Sequence, residues 1–183
     1  MDRWIGVLAA AAVLAVVALL MLRSWRRRSA RDETLSSYPV PATLGAPVLE
    51  TEVLYVATTP AAEPLERLAL PGLAFRGSAR IEVLAEGVIL RIAGESTTFI
   101  PADRLLGAGF ASYAIDRGVE PEGLIALTWI PLEREPAGAE LRVDSYVRAR
   151  HPGDPVRIIR AVNDIAAAPA AQRPKQESEA SDD

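Results

Sequence analysis

Cysteine is absent from the 183 residues, histidine occurs once, and lysine occurs once against 19 arginines. Without cysteine there is no disulfide framework and no thiol nucleophile or ligand, a composition that suits a cytoplasmic domain. With His151 alone, a transition-metal site would have to be built from carboxylates around it. A Ser-His-Asp device would have to use the same His151, and no G-x-S-x-G elbow exists to present a serine to it. Gly107-Ala108-Gly109 lacks the third glycine and the strand-to-helix context of a phosphate-cradling loop, so it reads as a β-bulge or bend. Basic charge is also scarce where nucleic acid would need it. Six of the 20 basic residues but one of the 24 acidic ones precede residue 32, leaving 14 basic against 23 acidic and a net charge of −9 beyond it. An acidic chain of this kind lacks the basic stripe that phosphate backbones require, which excludes nucleic acid as the expected partner.

What the chain does have is a run of 19 uncharged residues, Trp4 to Leu22, followed by Arg23, Arg26, Arg27, Arg28 and Arg31. At ~1.5 Å per residue such a helix spans ~29 Å, the hydrocarbon thickness of a bilayer. Residues 4–22 are therefore expected to be a transmembrane helix, with residues 1–3 outside the cell. Residues 23–31 form a basic juxtamembrane segment retained in the cytoplasm, where its arginines meet anionic headgroups. Trp4 and Trp25 bracket the run at the two interfaces. A cleaved secretory signal would carry its charge before a shorter core and a small-x-small site after it. Here Arg23-Ser24-Trp25-Arg26-Arg27-Arg28 occupies that place, so the anchor is expected to stay.

Residues 32–50, with Ser36, Ser37, Pro39, Pro41 and Pro47, read as an extended linker that gives the following domain reach from the membrane. At the other end, residues 167–183 are rich in Ala, Pro, Gln and Ser and close on four acidic residues; they read as a disordered acidic tail. Residues 51–166 between them read as one mainly β domain. Thr51 to Ala57 is a first strand. Ala79, Ile81 and Val83 alternate with Arg80 and Glu82 in a second, which a tight turn at Glu86-Gly87 reverses into Val88 to Ile92. Ala93-Gly94-Glu95 turns into Thr97 to Ile100; Leu105 to Ala114 is less regular; Leu124 to Ile130 is apolar on both faces and hence central. Leu141, Val143, Ser145 and Val147 are expected to face inward, with Arg142, Asp144, Tyr146 and Arg148 in water. A helix then starts on Asp154 as N-cap and Pro155 as first residue. Ile158, Ile159, Val162, Ile165 and Ala166 lie on one face, opposite Arg157, Arg160 and Asp164. About seven antiparallel strands closed by one amphipathic helix is the element order of the pleckstrin-homology (PH) superfold.

More narrowly, the anchor followed by LYVATT, GLAFRGSARIEVLAEGVILRIAGESTTFIPADRL, GLIALTWIPL, LRVDSYVRARHPGD and the final helix resembles the small single-pass membrane proteins of actinobacteria that carry a PH-like domain. These are often labelled transporter or export proteins. The resemblance covers about residues 50–166 plus the anchor, and none of its segments is a catalytic signature.

The remaining candidates read as structure. His151, in His151-Pro152-Gly153-Asp154-Pro155, is a turn residue; Trp129 belongs to the core. The pairs Glu120/Glu122 and Glu133/Glu135 sit beside prolines in solvated connections, where no carboxyl is desolvated for acid catalysis. Phosphoinositide-binding PH domains are similar in a basic motif near their first two strands. The corresponding connection here offers Arg67, Arg76 and Arg80 without lysine and departs from that pattern. No enzyme, cofactor or metal is expected. The expected role is a membrane-anchored interaction or scaffolding module with a protein partner, bound by strand addition at a sheet edge beside the terminal helix. The alternative is a lipid-facing module or accessory subunit of a transport system.

Overall fold

In the computed structural model the described residues are 13–23, 34–111, 113–114, 117–118, 123–133 and 140–168. Residues 13–23 form helix α1, whose apolar side chains are exposed. Residues 4–12 lie outside the described residues, and among those described no helix is long and apolar enough to cross a membrane. Arg23 closes α1. Arg26, Arg27, Arg28, Arg31 and most of the acidic tail lie outside the described residues.

Among the described residues eleven strands follow: β1 (Leu35–Ser36), β2 (Leu49–Pro60), β3 (Gly77–Leu84), β4 (Gly87–Ile92), β5 (Thr98–Pro101), β6 (Leu105–Ala111), β7 (Tyr113–Ala114), β8 (Arg117–Gly118), β9 (Leu124–Trp129), β10 (Leu132–Glu133) and β11 (Val143–Ala149). The helix α2 (Asp154–Ala167) closes the domain. Seven strands make one antiparallel sheet in the order β5-β4-β3-β2-β11-β9-β6. A single 12-residue strand joins its two halves. β2 pairs through Leu49–Tyr55 with β3 and through Val53–Pro60 with β11, with Val56 as an extra residue on its side of the second ladder.

Alternation explains most of the sheet, since successive side chains face opposite sides of a strand. Val53 and Tyr55, Ile81 and Val83, Val88 and Leu90, Ile125, Leu127 and Trp129, and Val143 and Val147 are buried in one cluster with Ile158, Val162 and Ile165 of α2. Each such side chain withdrawn from water contributes about 1.5–3 kcal/mol. The hairpin β3–β4 turns on Ala85 and Glu86. Gly87 is already in the strand, and a Cβ there would lie 2.2 Å from the carbonyl oxygen of Ile100 in β5. The glycine is thus required by close approach of the next strand and not by the turn itself.

Three expectations need correcting, and the connection between β2 and β3 adds a feature that spacing does not predict. Residues 34–48 are not a free linker: Leu35 is 3% exposed in the main core, β1 pairs with β10, and Tyr38 and Leu44 pack over Leu84, Ile89 and Phe99. The prolines disfavour helix but permit an extended chain laid on the sheet. Tyr146 is buried and not in water, because Ala111, Ala126 and Val56 leave a seat on the outer face beside Leu124. The connection between β2 and β3 carries Leu68, Leu70 and Leu73 into the core, guided by the Leu68 N–H donating to the Thr58 carbonyl at 2.8 Å. At the start of α2, Gly153 is the N-cap at φ 88°, and Asp154 is the first helical residue. The Asp154 carboxylate accepts from Thr51 Oγ1 at 2.7 Å and Arg157 Nη1 at 3.0 Å. The Thr51 hydrogen bond first, and Arg157 second, hold its carboxyl below the usual range.

A buried hydroxyl relay runs beneath β2. Tyr55 Oη donates to the Leu73 carbonyl at 2.8 Å, which leaves it to accept from Thr58 Oγ1 at 2.9 Å. Thr58 in turn accepts from Ser145 Oγ at 2.7 Å, and Ser145 accepts from Trp129 Nε1 at 3.0 Å. Burial pushes the Tyr55 phenol up from 10.0 to about 12. Above pH 10 the unfolded chain gives up this proton while the folded chain keeps it, so stability falls as pH rises from about 10 to 12, by about 2–3 kcal/mol in all. Urea denaturation at pH 9 and pH 11 should show about half of that loss, ~1.3 kcal/mol, and Tyr55→Phe should show a smaller one; equal losses would free Tyr55 of the effect.

Candidate interaction edge

β5 and β6 are the two edges of the sheet. Tyr38 lies along β5, donating its N–H to the Phe99 carbonyl at 3.2 Å. At β6, among the described residues, a side chain of α2 supplies cover. Asn163 Oδ1 accepts the Ala108 N–H at 2.8 Å, and Asn163 Nδ2 donates to the Ala108 carbonyl at 3.0 Å. The carboxamide thus occupies one rung of a strand that is not there. The register between β6 and β9 shifts between Leu105 and Gly107, and Gly107 sits at φ 147°. A Cβ at Gly107 would approach Asn163 Oδ1 to 2.9 Å. The bulge expected at Gly107-Ala108-Gly109 is therefore present, and it brings the strand against the helix.

Backbone groups alternate in direction along a strand, so Phe110 turns its N–H and C=O the same way as Ala108, away from β9. Leu106 and Phe110 are each 44% exposed, and a Cβ at Gly109 would meet nothing within 4 Å. The strip from Gly109 to Ala111 offers backbone pairing and an exposed aromatic ring beside a helix.

The described residues also line a groove and a cleft. A groove of about 490 Å³ runs between α2 and the start of β2, lined by Val48, Leu49, Arg157, Arg160, Ala161 and Ile165. A cleft of about 540 Å³ on the outer face is lined in part by Glu52, Ser78, Arg80, Arg91 and Arg150. Arg80 is paired with Glu50 at 2.8 Å, Arg91 with Glu82 at 2.7 Å, and Arg150 donates to Ser78 Oγ at 2.7 Å. These guanidinium groups are already engaged by the protein.

The residues weighed from the sequence do not converge. His151 is exposed in the turn before α2, and Trp129 is buried. Arg67 reaches the Val56 carbonyl at 3.4 Å, Arg76 is exposed, and Glu133 lies in β10. Glu120, Glu122 and Glu135 lie outside the described residues. Among the described residues no three histidine or acidic side chains gather into a metal-sized cluster.

A family model described as bacterial PH domain-like matches residues 34–163, from the segment beneath Tyr38 to the Asn163 clamp. The chain belongs to that family. PH-like domains are generally non-catalytic binding modules for proteins or lipids, and this bacterial PH-like domain has the matching anatomy: a seven-stranded antiparallel sheet closed by a C-terminal helix. No curated protein matches the chain closely enough to count as a relative. Asn163 escaped the sequence reading. Its only signal there is an amide of poor helix propensity next to Val162 in the apolar stripe.

Proposed function

We propose that this PH-like domain is a protein-interaction module held at the inner face of the membrane. In this reading residues 4–22 cross the bilayer, and Arg23, Arg26, Arg27, Arg28 and Arg31 retain the flank in the cytoplasm beside anionic headgroups. The domain presents the β6 edge to an extended segment of a partner. The observation that carries the proposal is that edge, where Asn163 closes the rung at Ala108 and the next outward-facing rung, at Phe110, is left beside an exposed ring. An added strand gains main-chain hydrogen bonds there, and its alternate side chains meet Phe110. Protein is favoured over a headgroup as ligand because Arg80 and Arg91 in the outer-face cleft are neutralised by Glu50 and Glu82.

Photo-crosslinking in intact cells tests this, with the reactive residue placed at Phe110 or, as control, at the exposed Val156 of the full-length chain. A discrete protein adduct is expected from position 110 and not from 156, formed on a domain that external protease leaves intact. Equal adducts at both positions, lipid adducts alone at 110, or digestion from outside would overturn the proposal.

A further inference from the structure

Residues 34–48 cover the opposite edge of the sheet without a continuous ladder. β1 makes a two-residue ladder with β10; Tyr38 makes an isolated bridge to Phe99; the Gly45 N–H reaches Glu86 Oε1 at 3.2 Å at an exposed position. Val48 then enters the sheet through its N–H to the Val83 carbonyl at 2.8 Å. Pro39, Pro41 and Pro47 have no N–H to donate, so the segment has no continuous ladder to zip closed. What it covers is different in kind. Leu84, Ile89 and Phe99 form a buried apolar cluster apart from the main core, with Tyr38 and Leu44 packed against it, while Leu35 at the start of the segment is seated in the main core. β5 itself is held in the sheet by four registered pairs with β4.

Closure also has a cost that the structure displays. While Glu86 Oε1 receives the Gly45 N–H, Glu86 Oε2 is shielded from water without a hydrogen-bond partner. A carboxylate oxygen desolvated without a partner opposes the closed arrangement, and its solvation is recovered when the segment lifts.

We infer that residues 34–48 are a strap that opens as a unit while the sheet stays folded, gating the β5 edge and the Leu84/Ile89/Phe99 cluster. The strap follows directly on residues 24–33, so displacement of the chain ahead of residue 34 acts on it before it acts on the sheet. The position of the N-terminal segment is thereby read out as exposure of an edge strand.

Hydrogen exchange on the full-length chain tests the strap. The absence of cysteine permits a lock at Ser36→Cys with Leu132→Cys, which replace directly opposed residues of β1 and β10, at a separation antiparallel pairs share with disulfides. The amides of Tyr38, Gly45 and Phe99 should exchange at least about ten-fold faster than those of β9 and β11, and oxidation of the pair should slow them toward the β9 and β11 rates. Independently of the lock, Tyr38→Ala should accelerate strap exchange about ten-fold with β9 and β11 unchanged. Strap amides that exchange at the rate of β9 and β11 in the unlocked protein, or a Tyr38→Ala variant in which all strands accelerate equally, would show that the segment unfolds only with the whole domain and overturn the inference.

Discussion

Val162→Asp should abolish the cooperative melt of the domain. Val162 is fully buried in the cluster shared by α2 and the sheet, and a carboxylate there would meet apolar neighbours on every side. Burying an unpaired charge costs several kcal/mol even after relaxation. Whole-domain stabilities are about 5–15 kcal/mol, and the lost valine contacts add to the deficit, so little of the folded population should survive. The adjacent positions supply the controls. Ile159 is only half-buried and should lose less when changed to Asp, while Val156, exposed on the first turn, should tolerate the change. Circular dichroism melts of the three variants measure this directly. A Val162→Asp protein that melts with the native midpoint would mean that α2 does not close the core.

Trp129→Ala should cost about 3–5 kcal/mol, the range for removing a large buried aromatic. Two losses combine: the indole fills the centre of the main cluster, and its Nε1 begins the relay through Ser145, Thr58 and Tyr55. Trp129→Phe separates them by keeping most of the ring while withdrawing one donor from Ser145, which can still donate to Thr58. A loss of about 1 kcal/mol is expected for that variant, the usual net value of one hydrogen bond. Urea midpoints for the two variants and the wild type give the ordering. If Phe were as costly as Ala, the hydrogen bond and not the packing would dominate the position.

Patterns confined to a few neighbouring residues were legible in the sequence. The alternation of Ala79, Ile81 and Val83, the stripe from Ile158 to Ile165, the bulge at Gly107 and the burial of Trp129 each depend on spacing within one element, which periodicity reports. Features in which one element is judged by another were not legible. The prolines of residues 34–48 announce an extended chain but not that Leu35 and Tyr38 find partners about 100 and 60 residues away in β10 and β5. Tyr146 alternates onto the outer face as its spacing requires, yet that face is dry because Ala111 and Ala126 are small. The Asn163 clamp is the clearest case, since an amide becomes a substitute strand only when β6 is brought alongside it. Location rests on the stretch from Trp4 to Arg31, of which the structure describes residues 13–23.

The shared strand β2 also sets an order on synthesis. Its pairing with β3 joins residues close in the chain, so β2 through β5 can assemble as soon as they leave the ribosome. Its pairing with β11 joins Val53 to Ala149 and Pro60 to Val143, and α2 comes later still. Until residues 143–149 have emerged, β2 therefore carries an unpaired margin and Tyr55 and Thr58 await Ser145. Contacts of such long separation form late in folding, and an open strand margin on a nascent chain invites association with its neighbours. The domain completes itself only when its C-terminal strand and helix arrive, so truncation before residue 143 removes the partner of β2 and not merely the end of the protein.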